Sequence, residues 1–136
     1  MSKLRAFFKE NIKAIGEVKF VVSKRFIDEE TGEPIPFKLI AISARRDGEL
    51  RENCYRMNKF NQPEFDAEKY MRNFAAAGVV EPDLRNQELQ DNYGVKSAED
   101  LISIMLTAGE FNSLTAKLQE IGGFKTPQKM VEEAKN

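Results

Sequence analysis

Residues 74–123 read FAAAGVVEPDLRNQELQDNYGVKSAEDLISIMLTAGEFNSLTAKLQEIGG and predict three short helices, around which the rest of the chain is organised. Asn86 can cap the first helix, whose apolar residues are Leu89 and Tyr93. Gly94 then supplies the left-handed backbone position that commonly ends a helix. Local turn and cap chemistry therefore sets the limits of this first helix.

The second and third helices follow the same logic. Ser97 begins the second helix with Asp100 three residues later, which resembles a capping box with a carboxylate where Glu or Gln is usual. Its predicted buried face is Leu101, Ile104 and Met105. The third helix is expected to run from Glu110 to the Gly122-Gly123 pair, with one apolar stripe. That stripe comprises Phe111, Leu114, Leu118 and Ile121. Helices of this length need tertiary packing, so they must bury these faces against each other and the rest of the chain.

A β-hairpin is predicted from two segments upstream. Residues 17–26 and 37–43 are rich in β-branched and aromatic side chains, and the charged loop DEETGEPIP separates them. Four residues of the first segment share one parity and predict a buried face: Val18, Phe20, Val22 and Phe26. The second segment is apolar on both parities, which favours cover on both sides. Because a lone hairpin is marginal, another strand, a helix or another subunit must complete it.

The middle of the chain predicts two more helices. A short polar helix, ELRENCYRM, carries Leu50 and Cys54 four residues apart, and we expect Cys54 to be a small buried hydrophobe. Residues 58–65, NKFNQPEF, are predicted to be irregular or a short extended piece because of their proline. Asp66 then caps a helix that ends at Gly78. Its predicted inward face is Tyr70, Phe74 and Ala77.

An amphipathic helix is predicted at the N-terminus, from Lys3 to about Lys13. Its apolar face consists of the candidate partner-binding residues Leu4, Phe7, Phe8 and Ile12. Adjacent phenylalanines are unfavourable in water, so this face should be covered by the chain's own core, a second copy, another protein or lipid. A basic amphipathic helix can lie on a membrane, but one short apolar face binds lipid only weakly, so no membrane partner is expected.

The overall prediction is an α+β fold in which an N-terminal helix and a β-hairpin layer pack with a helical C-terminal half of several short helices. We expect one domain over residues 1–125 and a frayed tail over residues 126–136, although Thr126-Pro127 could begin a last helix. No signal-peptide pattern and no long apolar run is evident, which predicts a soluble cytoplasmic protein.

Composition limits the chemistry open to this chain. Its 136 residues contain no histidine and one cysteine, so the usual Cys and His zinc cage cannot form within one copy. Nucleophilic catalysis by Cys54 would lack a histidine base, and no phosphate-binding glycine loop is present. We therefore expect no catalytic residues, no metal and no cofactor. A formal charge of −1 provides no global field for nucleic acid.

A helix pair joined at Gly94 leaves one alternative open, a small DNA-associated or regulatory protein. The candidate recognition helix, SAEDLISIML, carries Glu99 and Asp100 near its start and no Arg or Lys. Those carboxylates would repel phosphate where contact should be closest. The pattern therefore disfavours nucleic acid as a partner.

The chain resembles the tail assembly chaperones of long-tailed phages and defective prophages of Gram-positive bacteria. The resemblance is carried by VVEPDL (residues 79–84) and ELQDNYGVKSAEDLISIMLTAGEFNSLTAKLQEIGGF (residues 88–124). Three earlier segments agree with it in order: VVSKRFIDEETGEPIPFKLIAIS (residues 21–43), LRENC (residues 50–54) and FDAEKYMRNFAAAGVV (residues 65–80). The resemblance thus covers most of the chain.

This resemblance implies a non-enzymatic role in the cytoplasm of a bacterial host. Such chaperones coat the tape measure protein in many copies, are displaced as tail tube subunits polymerise, and are not expected in the mature virion. The implied partners are the tape measure protein, the tail tube protein, further copies of the chain and a frameshifted longer form of it. The terminal Ala134-Lys135-Asn136 could be encoded by an adenine run suited to frameshifting.

Overall fold

The computed structural model describes residues 3–124, which adopt an α+β fold. The helices are α1 (Ala44–Glu52), α2 (Ala67–Gly78), α3 (Gln87–Tyr93), α4 (Ala98–Met105) and α5 (Ala108–Ile121). The strands are β1 (Val18–Phe20), β2 (Phe37–Leu39), β3 (Tyr55–Met57), β4 (Pro63–Phe65) and β5 (Val79–Glu81). The predicted fold class is therefore confirmed. The helix predicted at Thr126-Pro127 and the tail of residues 126–136 lie outside the described residues.

The predicted hairpin is present and gains a third strand. β1 pairs with β2 in antiparallel fashion, with Val18 opposite Leu39 and Phe20 opposite Phe37. β5 pairs antiparallel with the other side of β2, which gives the order β1-β2-β5. Residues 79–81 lie outside the two segments predicted to be strands. Val79 is buried opposite Leu39, so this segment completes the sheet that a lone hairpin could not sustain.

β2 is covered on one face, whereas the sequence had predicted cover on both faces. Phe37 and Leu39 are buried, whereas Lys38 is partly exposed and Ile40 lies at the surface. The apolar residues of the first segment follow the predicted parity, with Val22 buried and Phe26 packed against the core. The sheet therefore presents one face to the helices, as expected when an antiparallel sheet has helices on one side.

α2 lies at the centre of the helical half, where it packs against α1, α4 and α5. Asp66 caps it as predicted, because its carboxylate accepts a hydrogen bond from the backbone N–H of Lys69 at 3.1 Å. Its inward face consists of Tyr70, Phe74, Ala75, Ala76 and Gly78, whereas Ala77 is only partly buried. Gly78 lets α5 come close, because a Cβ there would collide with the side chain of Leu118.

The capping residues of α3 and α4 are those predicted, but the buried face of α4 differs from the prediction. Asn86 and Ser97 cap the two helices, and Gly94 has a φ of 72° at the end of α3. The predicted burial of Ile104 is wrong, because Ile104 is exposed and Ile102 is fully buried. The buried set has the spacing i, i+3, i+4, i+7 of a helical stripe, and its members are Ala98, Leu101, Ile102 and Met105.

α5 begins earlier than expected. Its cap is Thr107, which forms a reciprocal capping box with Glu110 at the N3 position. The hydroxyl oxygen of Thr107 accepts from the Glu110 N–H at 3.2 Å, and the Glu110 carboxylate accepts from the Thr107 N–H at 2.9 Å. Leu114 and Leu118 are buried as predicted, with Phe111 and Ile121 packed at the edge of the core.

The N-terminal α-helix that the sequence predicted is not formed. Residues Lys3–Phe7 and Lys9–Asn11 are two short 3₁₀ helices, separated at Phe8 by extended backbone with φ −66° and ψ 144°. No residue of either segment is buried. A short segment without a packed face lacks the tertiary contacts that stabilise an α-helix, which accounts for the difference.

A second hairpin stands where the sequence had predicted the end of a helix. α1 ends at Glu52, and Tyr55–Met57 pairs with Pro63–Phe65 in antiparallel register. Residues 58–65 had been predicted to be irregular or extended, and the last three of them form the extended strand β4. Leu50 and Cys54 are buried as expected, and the thiol of Cys54 donates a hydrogen bond to the carbonyl of Leu50 at 3.0 Å.

Candidate protein-binding surfaces

The four predicted partner-binding residues lie together on an exposed N-terminal segment, residues 3–15. Their exposed fractions are 63% for Leu4, 77% for Phe7, 43% for Phe8 and 58% for Ile12. Ile15 extends this surface and is also exposed. The chain's own core therefore does not cover these side chains in the structure. An apolar surface of this kind is typical of a protein contact.

A second exposed apolar surface lies on the β3–β4 hairpin, and the sequence had not indicated it. Tyr55 and Met57 alternate along β3, and Phe60 lies in the turn between the strands. Asn61 closes this turn with a φ of 60°, a backbone region that Asn tolerates better than most residues. The period-two pattern of Tyr55, Arg56 and Met57 could have predicted the strand.

The base of this hairpin is anchored to α1 and α2 by a polar and aromatic cluster. The hydroxyl of Tyr70 donates to the carboxylate of Asp47, and Arg51 donates to the other carboxylate oxygen at 3.0 Å. The Arg51 guanidinium lies 4.5 Å from the centre of the Tyr70 ring, and Phe65 packs beside that ring at 5.6 Å. Burial, followed by the hydrogen bond to Asp47, raises the pKa of Tyr70 to about 12. These contacts hold the base of the β3–β4 hairpin against α1 and α2.

The segment that follows β1 is fastened to α5 by one ion pair. Arg25 donates to both carboxylate oxygens of Glu110, at 2.5 and 3.3 Å, and to the carbonyl of Met105 at 2.9 Å. Hydrogen bonds from Arg25 first, and then from Ser23 and the Thr107 backbone, lower the pKa of Glu110 from its ordinary 4.5 to about 2. This carboxylate therefore joins the sheet layer to the helical half.

The lowered pKa of Glu110 predicts an acid-dependent contribution to stability. A carboxyl whose folded pKa is below its unfolded value stabilises the fold above pH 4.5, and this stabilisation disappears as the pH falls toward about 2. Glu110→Gln keeps an acceptor for the capping box but loses the charge that pairs with Arg25. We expect this variant to be less stable than wild type at neutral pH and to converge with it across that window in urea unfolding. Glu52→Gln, an exposed carboxylate at the end of α1, is the control. A constant gap between Glu110→Gln and wild type down to pH 2 would contradict the assignment.

Candidate catalytic groups do not converge in the described part of the chain. Cys54 is fully buried, and its sulfur accepts a hydrogen bond from the Asn73 side chain at 3.4 Å. Within residues 3–124, no group of three or more His, Cys, Asp or Glu side chains is placed to hold a metal ion. In the same range, no helix has the length and apolar character needed to cross a membrane.

The helix pair considered for DNA binding has acidic residues at the start of its second helix, where contact with the DNA phosphates should be closest. α4 begins at Ala98, carries Glu99 and Asp100 in its first turn and has no basic residue in its last turn. Phosphate contacts require positive charge, so this helix is unsuited to lie in a DNA groove. The DNA-binding alternative gains no support from α3 and α4.

Comparison with known proteins agrees with the sequence resemblance. A sequence model of the family described as "Phage XkdN-like tail assembly chaperone protein, TAC" matches residues 4–135. Comparison with curated proteins gave no match. The crystal structure of the protein YqbN, a structural genomics target, superposes with a TM-score of 0.77 at 28% identity, over 92% of this chain and 99% of that one.

The family match spans nearly the whole sequence, from the exposed N-terminal segment through α5 and beyond. The similar crystal structure covers 92% of this chain. The suspected family is thereby confirmed. The chain belongs to the family of phage XkdN-like tail assembly chaperone proteins.

Proposed function

We propose that this chaperone binds the tape measure protein and helps to recruit tail tube subunits around it during tail assembly. The observation that carries the proposal is the exposed N-terminal segment in a member of a tail assembly chaperone family. A chaperone for a long filament needs apolar surface for its client and no active site. The surface of residues 3–15 has this character.

The partner-binding residues in this proposal are Leu4, Phe7, Phe8 and Ile12. Their side chains are exposed while a separate hydrophobic core holds the rest of the described chain together. They can therefore be replaced without removing a core contact. This separation supports a role in binding over a role in stability.

We further propose the setting that the sequence resemblance implies. The chain acts without catalysis and without a cofactor in the cytoplasm of the bacterial host, as one domain over residues 1–125. It leaves the tail before the virion is complete. A longer form made by frameshifting shares its surfaces and acts with it. The membrane has no part in this function.

The test is co-expression of the tagged chain with the tape measure protein, followed by affinity capture. Wild type is expected to retain the tape measure protein. Phe7→Ser with Phe8→Ser is expected to reduce the retained amount by about tenfold or more, because two large apolar contacts are lost. The variant should unfold at the same urea concentration as wild type, since both side chains are exposed.

Two matched controls locate the binding surface. Val21→Ser with Ile104→Ser replaces two exposed apolar residues elsewhere, and we expect undiminished capture. Met57→Ser with Phe60→Ser tests the second hairpin in the same way. Undiminished capture by a folded Phe7→Ser/Phe8→Ser variant, or loss confined to the hairpin variant, would refute the placement at the N-terminus. Loss of folding in the N-terminal variant would contradict the exposure of Phe7 and Phe8.

A further inference from the structure

A groove lies between the start of α2 and the start of α5, beside the end of α4. Its volume is about 490 Å³. The α2 wall consists of Ala67, Glu68, Met71 and Arg72, and the α5 wall consists of Thr107, Ala108, Phe111 and Asn112. Each set has the spacing i, i+1, i+4 and i+5, so each forms one stripe along the surface of its helix. The groove is therefore a channel between two helical surfaces.

The interior of this groove is apolar. Leu106, which follows α4, is buried beneath it, and Met71 and Phe111 are half-buried on the two walls. Both of these side chains pack against the core and also line the groove. Ala67 and Ala108 have short side chains, so a partner can approach both walls closely. Because packed helices lie with their axes about 8–10 Å apart, a third helix between the walls would bury these side chains.

Two opposite charges lie on the α2 wall, one helical turn apart. Glu68 and Arg72 both line the groove, and neither forms a salt bridge within residues 3–124. The same spacing on α1 is closed by an ion pair, in which Arg51 lies 3.0 Å from Asp47. Both charges on α2 thus remain available to a partner. A helix that complements them carries a base and an acid four residues apart.

This charge pair distinguishes the groove from the other large one, which lies between the first hairpin and α3. The wall of that second groove contains one carboxylate, Glu81, and it already pairs with Lys38 at 3.3 Å. Its apolar surface therefore offers a partner no unpaired charge to match. The groove between α2 and α5 is the more selective of the two.

We propose that the groove between α2 and α5 binds an amphipathic helix of the client. Apolar residues of that helix at i, i+3 or i+4, and i+7 lie between Met71 and Phe111. A basic side chain of the helix lies against Glu68, and an acidic one lies against Arg72. This inference rests on the proposed function, since it takes the tape measure protein as the client, and it adds a second contact, separate from residues 3–15.

The small size of the groove suits a client that is coated along its length. Residues 67–72 span about 8 Å along α2, so the groove contacts only a short stretch of a partner helix. A short apolar stripe with one acid and one base is a local pattern that a long helical client can offer repeatedly. Each copy of the chaperone then needs no unique sequence in the client.

The first test is affinity capture of co-expressed tape measure protein by the full-length chain. Met71→Ser with Phe111→Ser removes apolar contact from both walls and is expected to reduce the retained amount by about tenfold or more. Glu68→Arg with Arg72→Glu exchanges the two charges without touching the core, and a reduction of similar size is expected. The matched control is Arg45→Glu with Glu49→Arg, the same exchange on the exposed surface of α1, which should leave capture undiminished.

The second test identifies the pattern that the groove recognises. Peptides of about 20 residues that tile the tape measure protein are titrated with the full-length chain, and binding is followed by fluorescence anisotropy. The peptides that bind are expected to carry the apolar stripe with an acid and a base four residues apart. Exchanging that acid and base should weaken binding to wild type by about tenfold and restore binding to the Glu68→Arg/Arg72→Glu chain.

The outcomes separate this groove from the proposed function. Wild-type capture that both groove variants leave undiminished would overturn the groove alone, as would an exchanged peptide that the exchanged chain does not bind. Undiminished capture together with a changed mass in sedimentation would assign the groove to a second copy instead of the client. Failure of wild type to retain any tape measure protein would overturn the proposed function and this inference together.

Discussion

Replacing Ile102 by alanine is expected to lower the free energy of unfolding by about 2–5 kcal/mol. Ile102 has no exposed surface and lies in the stripe by which α4 packs against α2 and α3. The change removes buried apolar atoms and leaves a cavity that the neighbouring helices fill only in part. Since whole domains are stable by only about 5–15 kcal/mol, the shift should be plain in urea unfolding.

The matched control for this variant is Ile104→Ala, two residues away on the same helix. Ile104 is 54% exposed, so its truncation is expected to change the free energy of unfolding by about 0.5 kcal/mol or less. The pair keeps the residue type and the helix constant and varies only burial. Equal losses for the two variants, or a larger loss for Ile104→Ala, would contradict the orientation of α4.

Gly78→Ala is expected to destabilise the fold by about 1–3 kcal/mol, although alanine favours helices more than glycine does. A Cβ at this position would lie 2.8 Å from Cδ1 and 3.1 Å from Cγ of Leu118, and closer still to Cδ2. Leu118 is itself buried, so its side chain has little room to move. The helices α2 and α5 must therefore separate or Leu118 must leave its preferred rotamer. Thermal or urea unfolding measures the loss.

Gly109→Ala is the control for this change. Gly109 lies in the first turn of α5, and a Cβ there would meet no atom within 4 Å. Alanine at that position is expected to leave the free energy of unfolding unchanged or to raise it by up to about 1 kcal/mol. A neutral or stabilising effect of Gly78→Ala, alongside that control, would contradict the close packing of α2 on α5.

The features predicted best from the sequence are those fixed by local chemistry. Asp66, Asn86 and Ser97 cap helices as expected, because a cap depends on a side chain and on N–H groups two or three residues away. Gly94 ends α3 for the same local reason. The hairpin between β1 and β2 was also predicted, because the alternating apolar residues of its first strand and the prolines of its loop lie close together in the sequence.

One error arose where a distant contact decides the structure, and another arose from the choice between two spacings within one helix. Val79–Glu81 is a strand because β2 offers it a free edge, and two valines in a three-residue segment are too short a pattern to predict it. On α4, Leu101 and Met105 are compatible with either Ile102 or Ile104 as the third member of the stripe. Ala98 is also buried, and of the two isoleucines only Ile102 lies on the same helical stripe as Ala98, Leu101 and Met105.

The candidate partner-binding residues were predicted as one face of an α-helix, and the structure leaves them exposed on a segment without that helix. Phe8 has extended backbone, so periodicity misjudged the local conformation. The exposure of Phe7 and its neighbours could not be predicted, because an apolar stripe usually marks packing within the chain.

The decisive measurement is the capture of tape measure protein by the wild-type chain on co-expression, with tape measure fragments of increasing length. A chaperone that coats its client should retain each fragment, in amounts of chaperone that rise with fragment length. Failure to retain any fragment, by a wild-type chain shown to be folded, would contradict the proposed function.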